Sequence, residues 1–172
     1  MNISFKDIDI TNAIHTDIII KLVNRNDFYR KEIILGLKFG VFKHWNYTGM
    51  FLMDSVKVVG FILFTPYNLL NKDGCLIQFL LVDKSYQNKK IGTLVVNKFK
   101  KDFNLCGVVV KGDEHLFWQK FNFIKVEFNF IKVETREHTG TMTMIYSGDS
   151  EFVKSILFIN ELKKLSEQMD KL

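Results

Sequence analysis

The sequence predicts an α/β (α+β) fold, a mixed twisted sheet of about six to seven strands flanked by helices, with a helical extension at the C-terminus. Three observations predict it. First, "CLIQFLLV" (75–82) and "LCGVVV" (105–110) are near-continuous apolar runs, the signature of strands buried on both faces. Second, Ile91, Val95, Phe99 and Phe103 recur every fourth residue between those runs, with Asn97, Lys98, Lys100 and Lys101 on the other side, which describes an amphipathic helix. Strand, helix, strand in this order is a crossover unit, so the two strands are predicted to be parallel neighbours. Third, "MFLMDSVKVVGFILF" consists of two β-rich runs flanking Asp54-Ser55, which reads as a hairpin.

The remaining elements follow in chain order. "ISFKDIDI" alternates like a strand, and from Thr16 to Phe42 the period turns helical, with Asn24 to Asp27 placed to break it into two helices. After the hairpin, "TPYNLLNKDG" reads as a loop carrying Pro66 and ending in Asp73-Gly74. "DEHLFWQKF" reads as a short helix with Asp113 and Glu114 in its first turn, where carboxylates suit the helix dipole. Then "FNFIKVE" occurs twice in tandem, at 121–127 and 128–134. Two copies are too few for a solenoid, so the repeat reads as a duplication within strand-forming sequence. "TGTMTMIYSG" alternates like a further strand. In the tail, Phe158, Leu162, Leu165, Met169 and Leu172 form a short coiled-coil-like seam. The expected organisation is one domain over 1–149 and a C-terminal helix over 150–172, packed on the domain or on a partner such as a second copy.

Composition narrows the function classes. With 172 residues, 47% hydrophobic and 25% charged, the chain can bury a proper core and is not of the disordered type. No apolar run approaches the ~18 residues needed to span a bilayer, and "MNISFKDIDI" lacks the basic and apolar regions of a secretory signal. A cytoplasmic setting without membrane attachment is therefore expected. The net charge of +5 favours acidic partners, nucleic acid among them, but scattered lysines that solvate the surface are the stronger reading of it. Cys75 and Cys106 are the only cysteines, expected as buried free thiols. The histidines at 15, 44, 115 and 138 have no metal-ligand spacing, so no metal is expected.

The turn "DKSYQNKKIG" joins the first buried run to the amphipathic helix. The first N–H groups of a helix have no intrahelical partners, and the helix dipole adds positive charge there, so such a turn can cradle a phosphate. It can equally be a solvated loop.

"LLVDKSYQNKKIGTLVVNKF" resembles the coenzyme motif of the GNAT superfamily of N-acetyltransferases, a strand L-x-V followed shortly by Q/R-x-x-G-x-G/A and a helix. Leu80-Leu81-Val82 match the strand end, and Gln87, Asn88, Lys89, Lys90, Ile91 and Gly92 match the loop. The V-G-F of the hairpin and "LFWQKFNF" are similar to two further family segments, so the resemblance spans roughly 45 to 146. It implies a GNAT-like sheet and an acyl-CoA-dependent N-acyltransferase, with acetyl-CoA as donor and a small-molecule or protein amine as acceptor. It implies that the donor lies in a splay between 75–82 and 105–110, with the Leu80 backbone addressing the acyl carbonyl, the Val82 backbone the pantetheine, and amides from Asn88 to Thr93 the pyrophosphate.

Four positions depart from the family pattern. Lys90 replaces the first glycine of the motif, Trp118 a tyrosine that protonates the leaving thiolate in many members, Asn122 a glycine, and Gln78 a frequent carboxylate. No catalytic base is identified: Glu114, His115 and Tyr146 are near suitable positions, but each also has an ordinary structural role. A degenerate, non-catalytic member of the fold, or a nucleic-acid-directed protein, are the alternatives.

Overall fold

The computed structural model describes residues 2–69, 72–111, 115–126 and 141–146. In chain order these form β1 (Ile3–Ile8), α1 (Ala13–Asn26), α2 (Arg30–Lys38), α3 (Val41–His44), β2 (Thr48–Asp54), β3 (Lys57–Leu69), β4 (Lys72–Val82), α4 (Ile91–Asp102), β5 (Leu105–Lys111), α5 (His115–Gln119), β6 (Phe123–Val126) and β7 (Thr141–Tyr146). The described strands make one seven-stranded sheet in the order β1-β2-β3-β4-β5-β7-β6. Every neighbouring pair is antiparallel except β4 and β5, which are parallel with α4 as their crossover. The predicted mixed sheet and its parallel pair are thus present.

The helical stretch before the hairpin divides into three helices. Asn12 caps α1: its Oδ1 accepts from the N–H groups of Ile14 and His15, at 2.9 and 3.3 Å. Asp27 ends α1 by turning left-handed (φ 51) and donating its N–H to the Val23 carbonyl. The expected break over Asn24–Asp27 therefore falls at its last residue. Tyr29, which precedes α2, is also left-handed (φ 42).

Two apolar layers cover the two faces of the sheet. Val95, Val96 and Phe99 of α4 pack with Ile62, Phe64, Ile77, Val108 and Trp118. Ile19, Leu22, Val23, Ile33 and Phe42 of the first three helices pack with Phe51, Phe61, Leu63 and Leu81. Along β3 the layers alternate, Phe61 and Leu63 to one and Ile62 and Phe64 to the other, as a strand's period of two requires.

Two strand readings need correction. "TPYNLLNKDG" is not a loop: β3 runs on to Leu69 and β4 starts at Lys72, with Pro66 paired to Cys75. Proline is tolerated because β2 pairs β3 only as far as Phe64, so Pro66 lies where β3 has β4 alone as a neighbour. Second, 75–82 is not buried evenly on both faces: Gln78, Phe79, Leu80 and Val82 are half-buried, because a cleft opens beside them. Cys75 is buried, as expected. The tail at 150–172, with its dimerisation seam, the second copy of "FNFIKVE", Asp113 and Glu114 lie outside the described residues. The first copy supplies β6.

Candidate functional site

The cleft originates in strand geometry. β4 and β5 pair at Cys75–Leu105, Leu76–Gly107 and Ile77–Val108, and then part. At the parting point β4 carries a bulge: Phe64 pairs with Ile77 and Leu63 with Phe79, leaving Gln78 as the extra residue. β4 continues beside β3 alone, while β5 continues beside β7. The gap is a cleft of about 660 Å³, walled by Ile77–Val82 on one side and Val108 and Val109 on the other. Gln78 faces this region with its amide tied to β3, Nε2 donating to Thr65 Oγ1 at 3.1 Å.

The turn closes one end of the cleft. After β4 the chain makes a short 3-10 turn, Lys84–Tyr86, and Gln87 Nε2 then donates to the Val82 carbonyl at 3.1 Å. Asn88 and Lys90 are both left-handed (φ 62 and 61). The first intrahelical bond of α4 runs from the Leu94 N–H to the Lys90 carbonyl, and no side chain caps the helix. The N–H groups of Ile91, Gly92 and Thr93 are thus the unpaired first-turn donors of α4, and all three residues line the cleft.

The structure brings eight of the nine expected site residues to this cleft: Leu80, Val82, Gln87, Asn88, Lys90, Ile91, Gly92 and Thr93. The ninth, Lys89, does not line the cleft; its ammonium lies over the Tyr86 ring, 4.6 Å from the centroid. The Ile91 side chain is buried in the core, so only its backbone can face a ligand. Gly92 lies against α5: a Cβ there would be 2.9 Å from the Phe117 ring.

The left-handed turn explains why glycine suits the position of Lys90. A side chain in this conformation costs about 1–2 kcal/mol, whereas glycine pays about 0.5–1 kcal/mol in backbone entropy. Lys90→Gly should therefore raise stability, by up to about 1 kcal/mol in urea unfolding. Coenzyme titrations at two salt concentrations then show whether the lost ammonium had contributed to binding: if it had, the mutant binds more weakly and with a smaller salt dependence.

A polar network fixes the turn against α1. Arg25 pairs with Asp83, whose carboxylate also accepts from the Ser85 N–H and Oγ at 3.0 and 2.7 Å. Asn26 Oδ1 accepts from the Lys84 N–H at 2.8 Å while its Nδ2 donates to the Leu22 carbonyl. Burial pushes the Asp83 carboxyl up, but the Ser85 hydrogen bonds and the Arg25 charge outweigh it and hold the group below the usual carboxylate range. A carboxyl lowered in the folded state contributes stability above its unfolded value, about 3.9, and loses it as pH falls through the folded value. Asp83→Asn should cost about 1–2 kcal/mol at pH 7. The gap from wild type should shrink as unfolding is repeated at progressively acid pH.

The cleft also contains residues that sequence reasoning missed. Asn26, Phe28 and Tyr29 line it from the break between α1 and α2, as do Tyr86, Phe117 and Lys120. The break itself was visible; that it faces the end of β4 was not. Trp118 is buried and lines the cleft beside Phe117. Asn122 is left-handed (φ 63), a conformation that asparagine tolerates and glycine favours. Glu114, and the side chains of His115 and Tyr146, lie outside the described residues.

The profile of the acetyltransferase (GNAT) family matches residues 20–111, which include the cleft walls, the turn and α4. The chain belongs to the GNAT acetyltransferase family. GNAT proteins are also among its structural neighbours. An acetyltransferase from Thermus thermophilus aligns with a TM-score of 0.61 at 12% identity, over 84% of this chain and 96% of that one. The PaiA N-acetyltransferase of Thermoplasma acidophilum, solved with coenzyme A, aligns at 0.57 and 14% identity, over 84% and 98%. A GNAT N-acetyltransferase of Escherichia coli, also solved with coenzyme A, aligns at 0.55 and 17% identity, over 86% and 83%. At these identities the likeness is one of fold. Comparison with curated proteins finds no match.

Proposed function

We propose that this GNAT protein binds acetyl-CoA in the cleft between β4 and β5 and transfers the acetyl group to an amine by direct attack. The observation that carries the reading is the parting of β4 from β5 at the Gln78 bulge, beside the uncapped N-terminus of α4. Three features fit the donor. The first-turn N–H groups of α4, with the helix dipole, suit a pyrophosphate. Lys90 adds a cation at the mouth. Past Ile77, β4 no longer pairs with β5, so its backbone on that side can hydrogen-bond an amide-bearing arm. Leu80 is assigned to the acyl carbonyl and Val82 to the arm. For Val82 this means the N–H, because Gln87 already occupies the carbonyl.

Acetyl-CoA supplies a thioester, which an uncharged amine attacks: a C–N bond forms, the C–S bond breaks, and the sulfur leaves with the electron pair. The chain must stabilise the developing oxyanion with a preorganised donor, the role assigned to the β4 backbone at Leu80. The amine must also lose a proton. Gln78 has no basic group to take it, and an indole such as that of Trp118 is a poor acid for the leaving sulfur. These two residues favour a second reading, in which the fold binds coenzyme without catalysis. Calorimetric titration with acetyl-CoA, combined with thiol release in the presence of amines, tests both. The first reading expects micromolar binding and amine-dependent thiol release; the second expects binding alone. A protein that does not bind acetyl-CoA contradicts both.

A further inference from the structure

We infer that the acceptor is a monoamine with an aromatic or aliphatic body, whether a free amine or the N-terminus of a chain, and not a polycation; this rests on the coenzyme reading above. Phe28, Tyr29 and Phe79 form an aromatic wall in the same cleft. The Tyr29 ring meets Phe28 and Phe79 edge-on, at centroid distances of 4.6 and 5.5 Å, and all three side chains are half-buried. Phe79 lies about 10 Å along the strand from Val82, at 3.3 Å per residue, so the wall is separate from the phosphate turn and next to the bulge at Gln78. Its backbone is unusual. Asp27 and Tyr29 flank Phe28, and both are left-handed. That conformation is unfavourable for a bulky residue such as tyrosine and tends to persist where function requires it. Here it brings two successive rings to the cleft.

Charge points the same way. Lys120 lines the cleft away from any assigned coenzyme contact, and its ammonium repels a second positive charge on an acceptor. A monoamine gives up its one charge when it is deprotonated for attack, whereas a polyamine keeps the rest. The rings and the Gln78 amide offer an apolar body contact area and one neutral polar partner.

The test measures acetylation of 2-phenylethylamine, of a peptide with an N-terminal phenylalanine, and of spermidine, together with CoA binding by calorimetry. One of the two apolar amines should exceed spermidine in kcat/KM by at least about tenfold, the low end of what a hydrophobic contact discriminates. Which of them does so tells a free amine from a chain terminus. Phe28→Ala should lower that ratio without changing CoA affinity. Lys120→Glu, at an exposed position that does not threaten folding, should raise spermidine use. The inference is overturned if spermidine equals or exceeds both apolar amines, if the protein binds CoA yet acetylates neither of them, or if Lys120→Glu leaves the ratio unchanged. Failure to bind CoA would instead remove the coenzyme reading, which calorimetry reports separately.

Discussion

Replacing Gly60 by alanine should destabilise the protein by about 3 kcal/mol or more, at the upper end of overpacking effects. The V-G-F glycine lies where β4 leaves no room for a side chain on β3: a Cβ would sit 2.2 Å from the Leu81 carbonyl oxygen and 3.0 Å from the Leu52 side chain. A side chain could swing aside, but a strand carbonyl cannot without breaking the ladder that pairs Gly60 with Val82. Chemical unfolding of Gly60→Ala checks the magnitude. Because Val82 immediately precedes the turn into α4, coenzyme affinity should fall as well, even below the denaturation midpoint. A mutant as stable as the wild type would mean that the β3–β4 register differs from the one described.

The second large effect is expected at Gly92, on ligand binding more than on stability. Valine there would press on the Phe117 ring, whose Cζ is 2.9 Å from the position of an added Cβ. Phe117 is half-buried and lines the cleft, so the ring can yield, at about 1–3 kcal/mol, by moving into the ligand's space. Coenzyme affinity should drop by roughly tenfold or more, the equivalent of about 1.4 kcal/mol. Phe117→Ala in the Gly92→Val background should recover part of it, a coupling that a double-mutant cycle measures. Independent effects of the two substitutions would show that Phe117 is not the group the new side chain meets.

Much of this site was legible in the sequence, and what was not has identifiable causes. The buried runs at 75–82 and 105–110 and the four-residue period of Ile91, Val95 and Phe99 carry the crossover unit, because a parallel pair needs a covering helix. The Asp54-Ser55 turn likewise gives away its hairpin, and Ser55 is indeed left-handed. The Gln78 bulge was hidden, since one extra residue in a continuous apolar run disturbs no visible period. The long ends of β3 and β4 were masked by Pro66 and Asp73-Gly74, which read as turn residues unless the neighbouring strand is known to stop at Phe64. Lysine at position 90 conceals a left-handed turn that glycine would have advertised. Phe28 and Tyr29 were legible only as a helix break, because their approach to Phe79 is a contact between residues about fifty positions apart.

The central claim is that the β4–β5 cleft and the first turn of α4 form the coenzyme site. Backbone amide hydrogen exchange, measured with and without coenzyme A, tests it residue by residue. The uncapped amides of Ile91, Gly92 and Thr93, and those of Leu80 and Val82, should exchange more slowly when coenzyme is bound, since a bound group both accepts their hydrogen bonds and excludes water. Residues of β2, separated from β4 by β3, should be unaffected. Protection confined to other segments, or no change at Ile91–Thr93 with coenzyme in saturating amount, would contradict the account.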